Sequence, residues 1–254
     1  MELEFHHYFI AILGGALAGA INTMAGNGSA ITLTILTEII GLPGNIANGT
    51  NRIGIVAQTI ASTYAFHKKG ILEIAKNKHI IILTIIGAIA GVIVATRISN
   101  EVFVQVFRYL MVVMLFVILV KPARWLRETD GNIQIPWIIS IPLFLAIGFY
   151  GGFIQMGMGI FFLAIMVLGA KYSLMDSNVV KALIVAIYTA IVLAIFHYKG
   201  LVDWKVGGVM AIGQTFGGYF MAIIASKNPR ANIWAYRLLI IVVIFAILKL
   251  FKII

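Results

Sequence analysis

Apolar residues fill the chain in eight runs, at about 8–40, 46–66, 80–97, 103–120, 137–169, 178–197, 206–225 and 233–251. Runs of about 18 or more apolar residues fit a membrane span, so the pattern predicts a polytopic all-α integral membrane protein. Two of the runs, 8–40 and 137–169, are too long for one straight span. Each is interrupted by a polar, glycine-rich stretch: Asn22-Thr23-Met24-Ala25-Gly26-Asn27-Gly28-Ser29 in the first, Gly151-Gly152-Phe153-Ile154-Gln155-Met156-Gly157-Met158-Gly159 in the second. Gly and Asn are poor helix formers, so a helix break is predicted at both places. A break at membrane depth frees backbone N–H and C=O groups, which survive only inside protein or along a wet cavity. Paired interruptions in two halves of a chain point to a transporter's binding site. The rival reading is that the glycines serve only close helix packing.

The two halves match in order. His67-Lys68-Lys69-Gly70 parallels His197-Tyr198-Lys199-Gly200. Asn48 parallels Asn178, which places Asn51 on Lys181. Gly87-x-x-x-Gly91 parallels Gly213-x-x-x-Gly217, and Phe107-Arg108-Tyr109-Leu110 parallels Tyr236-Arg237-Leu238-Leu239. Four matches in one order indicate two tandem homologous repeats of four hydrophobic segments each, the first segment of each broken or re-entrant. The predicted division is repeat 1 over 1–120, a linker rich in Pro, Gly and charge over 121–136, and repeat 2 over 137–254. If the first run crosses once, the halves are parallel; if it folds back as a hairpin, they are inverted. The distribution of Lys and Arg between the loops does not separate the two. The hairpin is favoured, since broken helices and inverted repeats occur together in transporters. All four tryptophans, Trp125, Trp137, Trp204 and Trp234, lie at run edges, as interfacial anchors do.

Composition closes off other classes. Of 254 residues, 61% are hydrophobic and 11% charged, with mean hydropathy +1.03, a balance foreign to a soluble domain of this size. The net charge of +10 sits mostly in short connections between apolar runs. That reads as topology control and contact with anionic lipid, not as a nucleic-acid surface. There is no Cys, so no disulfide, thiolate ligand or Cys nucleophile is expected. The acidic start Met1-Glu2-Leu3-Glu4 lacks the basic region of a cleaved signal, so the first run is expected to persist in the mature chain.

The chemistry lies in few residues. Arg52 and Lys181 fall inside runs 46–66 and 178–197, and an ionisable group within a span is functional by default. Snorkelling to the headgroups is the rival, more so for Lys181. Asp176 is a candidate partner for Lys181. Arg presents a planar fork to oxyanion oxygens; Asn48, Asn51 and Asn178, and freed backbone N–H groups of Gly26, Asn27, Gly28, Ser29, Gly157, Met158 and Gly159, add uncharged donors. Asn22, Thr23, Gln58, Gln155 and Tyr188 complete the candidate substrate site. The histidines lie at run edges or in loops, and Met24, Met156 and Met158 suit packing better than soft-metal transport. Glu38 is a candidate for proton coupling or an interfacial residue. No phosphate loop, zincin pair or hydrolase constellation is present, so no cofactor, metal or enzymatic activity is expected.

These motifs resemble the TauE/SafE family of membrane transporters, the sulfite exporter group. The first break is followed by Gly41-Leu42-Pro43 and then Ala47-Asn48-Gly49-Thr50-Asn51-Arg52. The second half carries Gly148-Phe149-Tyr150-Gly151-Gly152-Phe153-Ile154-Gln155, and Asp203-Trp204 follows a short glycine turn. The likeness covers nearly the whole chain; Asn27 departs from it, standing where many members carry another glycine. It implies a multi-pass inner-membrane protein of two four-segment halves that moves sulfite, organosulfonates or related anions.

The expected function is secondary transport, as an exporter, of a small sulfur-containing oxyanion bound between the two breaks. Its expected partners are that small anion and the lipid bilayer, with no nucleic acid and with homo-oligomerisation left open. The alternatives are a membrane-embedded enzyme or assembly partner, or a transporter of a different small anion or of a metal.

Overall fold

The computed structural model describes residues 4–68, 78–119, 135–228 and 231–251, and most of the linker 121–136 lies outside them. Every regular element among the described residues is helical. The first helix, α1 (Phe5–Ala25), stops at Gly26, whose φ of 77° only glycine adopts without strain. After Asn27 the chain re-enters a short helix, α2 (Gly28–Thr34), continued by a π-helical turn at Ile35–Ile39. Gly28 lies against the Ala18 carbonyl, and the Ile35 side chain reaches Gly14. The run 8–40 therefore folds back on itself as a hairpin, and Gly at 14 and 28 makes the close return possible.

The second long run is built in the same way. Helix α6 (Trp137–Phe153) ends at a break in which Gln155 (φ 66°) and Gly157 (φ 72°) both take left-handed conformations. Then come α7 (Met158–Ala164) and a π-helical turn at Ile165–Gly169. Tyr150 meets Phe161 edge-on at 5.5 Å and Phe144 meets Phe162 at 6.1 Å, so α7 also returns along its parent helix.

Each hairpin feeds a long helix of 25 residues, α3 (Gly44–Lys68) or α8 (Leu174–Tyr198). The corresponding elements start 130 residues apart, at 28 and 158, 35 and 165, 44 and 174. Gly41 and Lys171 share that offset, and both hold positive φ where the chain leaves its π turn. The remaining helices are α4 (Lys78–Ala95), α5 (Asn100–Leu119), α9 (Trp204–Lys227) and α10 (Ala231–Leu250). Among the described residues, five helices, α1, α4, α5, α8 and α9, are long and apolar enough to cross a membrane.

Two seams hold the halves together, and both rest on backbone contact. Gly213 and Gly217 of α9 press on the Ile12 and Ala16 carbonyls of α1, while Gly15 and Gly19 of α1 press on Met210 and Gln214 of α9. Gly87 and Gly91 of α4 meet the Leu145 and Phe149 carbonyls of α6, and Gly148 and Gly152 of α6 meet Thr84 and Ala88 of α4. The register rises together in each pair, so the helices are parallel. Small residues at every fourth position on both partners let the backbones approach. The glycine pairs of α4 and α9 thus serve packing, with matching pairs on α1 and α6. In contrast α3 and α8 run antiparallel: Gly49 lies against Phe196 and the Leu201 carbonyl, whereas Ala65 and Phe66 cluster with Val179 and Ala182.

The polarity of the molecule is inside out. Phe9, Ile60, Ile82, Phe116, Ile138, Phe216 and Phe245 are exposed, while Arg52, Asn48, Gln58, Ser62, Asn178 and Thr189 are buried. Lipid-facing surface explains the first group, and a polar centre the second. Substituting leucine at Gly91 places a side chain against backbone that cannot move aside. Gly91→Leu is expected to reduce the folded yield in detergent several-fold, since overpacking costs about 1–3 kcal/mol even where side chains give way. Ligand affinity of the surviving protein should stay unchanged; normal yield with altered affinity would reverse the assignment.

Candidate functional site

The two breaks touch. A Cβ on Gly26 would lie 2.5 Å from the Gly159 carbonyl carbon and 2.8 Å from the Ile160 nitrogen, so bare backbone is required on both sides. Around this contact each broken helix ends on carbonyls that its own backbone does not fully satisfy, the Asn22 carbonyl holding only the Gly26 N–H at 3.1 Å. A buried cation from the opposite half satisfies them. Arg52 Nη1 donates to the Gly151 carbonyl at 2.7 Å, and Nη2 to that of Gly152 at 3.2 Å. Beside it, Asn48 Nδ2 donates to the Phe153 carbonyl at 2.8 Å. Lys181 Nζ donates to the Asn22 and Thr23 carbonyls at 3.1 and 3.0 Å, and to Asn178 Oδ1 at 2.5 Å. Positive charge at a helix C-terminus also complements the helix dipole.

Both cations are deep. Arg52 is 0% and Lys181 4% exposed, so neither snorkels. Lys181 turns inward, and Asp176 does not reach it. Asp176 is exposed in the first turn of α8, where it joins Ser173 in an N-terminal cap. Capping of its own helix end by a short side chain outcompetes a reach toward the buried Lys181.

The guanidinium of Arg52 is also tied to side chains. Nη1 donates to Gln155 Oε1 at 2.9 Å, and Nη2 to Asn48 Oδ1 at 3.0 Å. The Phe196 ring lies 5.7 Å from its Cζ. Tyr188 donates its hydroxyl to the same Gln155 Oε1 at 2.6 Å. On the other side Asn22 Nδ2 donates to Gln58 Oε1 at 2.7 Å, and Gln58 Nε2 to Thr23 Oγ1 at 3.0 Å.

Of the residues singled out from the sequence, Asn22, Thr23, Gln58, Gln155, Gly159 and Lys181 line one small central cavity of about 10 Å³. Arg52, Asn48 and Tyr188 brace the end of α6 behind it. Asn178 holds Lys181. Asn51 accepts from Thr32 Oγ1 at 2.6 Å, toward α2. Asn27 and Ser29 are buried in the first break without protein partners for their side-chain polar atoms. Gly28 and Gly157 are filled against Ala18 and Met114. Met158 is buried among aromatic and aliphatic side chains and faces an apolar groove between α6 and α7. Glu38 is half-buried in the first π turn and does not line the central cavity. Ser62 and Thr59 belong to the site and were not singled out. Ser62 accepts weakly from Gln58 at 3.5 Å and contacts Thr23 Oγ1 at 3.2 Å; its position four residues beyond Gln58 puts it on the same helix face, which is the signal that marks it.

Comparison with known proteins gives the family. The family described as Sulfite exporter TauE/SafE matches residues 11–250. The chain belongs to the TauE/SafE family. Relatives include the probable membrane transporter protein ORF9 of Sinorhizobium sp, 24% identical over 85% of this chain and 82% of its own length. The probable membrane transporter protein YfcA of Escherichia coli K12 is 26% identical over 83% and 76%. A probable membrane transporter protein of Haemophilus influenzae is 27% identical over 85% and 84%. No solved structure matches significantly. As a TauE/SafE protein the chain is a multi-pass membrane transporter, and its two family-like polar clusters, 22–29 and 48–52, lie against the centre just described.

The geometry changes what Arg52 should do when replaced. Its four donor contacts hold the end of α6 and the Gln155 amide, so loss of the fork leaves buried acceptors unmet. Arg52→Lys keeps the charge but not the fork, and Arg52→Gln loses both. Folded stability in detergent is expected to fall in both, by about 2–4 kcal/mol for Arg52→Gln, since hydrogen bonds to charged groups contribute roughly 1.5–3 kcal/mol each. Unchanged thermal stability of Arg52→Gln would remove Arg52 from the capping role.

Proposed function

We propose that this TauE/SafE transporter moves a small oxyanion, of the sulfite or organosulfonate class, outward across the bacterial inner membrane. The observation that carries the reading is a charge imbalance. The buried polar residues include two cations, Arg52 and Lys181, and no carboxylate among the described residues. An interior with two positive centres and no internal counter-charge favours an anion and repels a cation or metal ion. The sulfur chemistry and the outward direction rest on the family's description.

The matching element order, the 130-residue offset and the antiparallel course of α3 and α8 support a duplicated, inverted arrangement with the breaks at membrane depth. In such transporters the substrate site lies between the repeats, and access alternates as one bundle rocks against the other. The present cavity has room for about one water molecule, far less than an oxyanion. Binding must therefore widen this cavity, whose wall includes Gly159, itself in contact with Gly26.

Purified protein in detergent tests the reading by thermal shift. Sulfite, thiosulfate, sulfoacetate, taurine, sulfate and chloride are compared with a divalent cation. An oxyanion at about 100 times its Kd should stabilise the fold by about 2.7 kcal/mol. Stabilisation by the cation and by none of the anions would replace this reading with metal transport.

A further inference from the structure

Two chains of hydrogen bonds end at the central cavity, and each fixes which end of an amide faces it. Gln155 Oε1 accepts from Arg52 Nη1 at 2.9 Å and from the Tyr188 hydroxyl at 2.6 Å. Arg can only donate, so the amide cannot be turned about. Its Nε2 is left with no bond among the described residues and is not sealed in protein. The opposite wall works in the reverse sense. Ser62 Oγ donates to the Gln58 carbonyl at 2.8 Å and Thr23 Oγ1 to the Gly19 carbonyl at 2.9 Å. Both hydroxyls therefore present lone pairs to Gln58 Nε2, at 3.5 and 3.0 Å. That orients Gln58 Oε1 toward Asn22 Nδ2, which donates to it at 2.7 Å. The Asn22 amide end left over is Oδ1, an acceptor without a bond among the described residues.

One cavity is thus lined by a residue whose free group is a donor, Gln155, and a residue whose free group is an acceptor, Asn22. Lys181 stands beside them with its three protons directed at Asn22, Thr23 and Asn178. It supplies field without a free N–H. A fully deprotonated oxyanion offers only acceptors, and would face Asn22 Oδ1 lone pair to lone pair. A singly protonated oxyacid anion offers both: an anionic oxygen for Gln155 and an O–H for Asn22.

We propose that the cavity selects the monoprotonated form of its oxyanion, with Gln155 and Asn22 as the specificity-determining pair and Arg52, Tyr188, Gln58 and Ser62 as positioning residues. The proposal rests on the anion reading given above. Lys181 of α8 is the ionisable group in the cavity wall, with Tyr188 of α8 and Arg52 of α3 behind Gln155; α1 and the α6–α7 break contribute amides, hydroxyls and backbone there.

Binding of sulfite and of methanesulfonate to the full chain in detergent tests it, each measured at pH 6 and pH 8. Sulfite passes from singly protonated to deprotonated over this range, while methanesulfonate stays a monoanion with no proton to give. Sulfite is expected to bind several-fold more weakly at pH 8 than at pH 6, in step with the fall in its singly protonated fraction, and methanesulfonate to bind more weakly than sulfite at pH 6 with less than twofold change between the two. In Asn22→Ala the preference for sulfite over methanesulfonate at pH 6 should disappear; the wild-type comparison stands even if that variant does not fold. Equal binding of both anions at pH 6, or a parallel loss of both at pH 8 through Lys181, overturns the selection while leaving anion transport in place. Binding of neither anion overturns both readings.

Discussion

The structure depends on an exchange of caps at its centre. A helix that stops inside a bilayer leaves carbonyls pointing where no water can reach them, at a cost of several kcal/mol for each. Here α1 and α6 both stop in the buried interior, and each is completed by a cation from the opposite half: Lys181 on α1, Arg52 on α6. The offset of 130 residues relates the acceptors of these caps, while the donors stand one position out of step, Asn51 being the counterpart of Lys181. Lys181 takes the Asn22 carbonyl, and Arg52 takes that of Gly152. Neither hairpin is complete alone, so breaking one cap exposes acceptors in the half that did not lose a residue. The glycine seams then follow as a necessity. Only helices that approach backbone to backbone bring the two breaks into contact at Gly26 and Gly159.

The two hairpins are alike in construction and unlike in cover. The α1–α2 hairpin is packed into a cluster that includes Leu239 and Val243 of α10 and Phe103, Phe107 and Met111 of α5. The α6–α7 hairpin leaves an apolar groove of about 360 Å³ between its arms, lined by Leu143, Tyr150 and Phe161. Two inverted units in identical surroundings would have a single symmetric state and could not alternate. Alternating access requires the halves to differ and to exchange the difference. The packing of the hairpins is where the difference between them lies.

Much of this was legible in the sequence because the relevant signals are local. Glycine and asparagine inside an apolar run mark a break through propensity alone. Charge inside a run marks a buried centre because the bilayer penalises it. The matching Gly-x-x-x-Gly pairs of α4 and α9 marked packing faces, although their partners on α1 and α6 became visible only when the helices were placed together. The role of Arg52 was not legible. A guanidinium fork suits a substrate oxyanion and a helix-terminal carbonyl equally well, and the choice depends on a residue about a hundred positions away. Asp176 illustrates the opposite error. Sequence proximity offered it to Lys181, but a cap with Ser173 needs no burial of the carboxylate. Ser62 was missed because a serine in a span has many uses, and only its bond to Gln58 gives it one.

Affinity in a transporter has an upper limit set by release. A cation that offers free protons to an oxyanion makes short, charge-assisted bonds, and such a contact holds its ligand as well as it finds it. In this protein the protons of Lys181 and those on Nη1 and Nη2 of Arg52 are directed at fixed carbonyls and amides, so the positive charge acts through space while neutral amide groups face the cavity. For the oxyanion proposed above, such a field would draw the ligand to the centre, where the contacts are those of uncharged donors and acceptors. Binding that is favourable enough to enter and weak enough to leave is the condition for conduction through any selective path. Putting the charge behind the amides meets that condition with the same two residues that keep the broken helices intact.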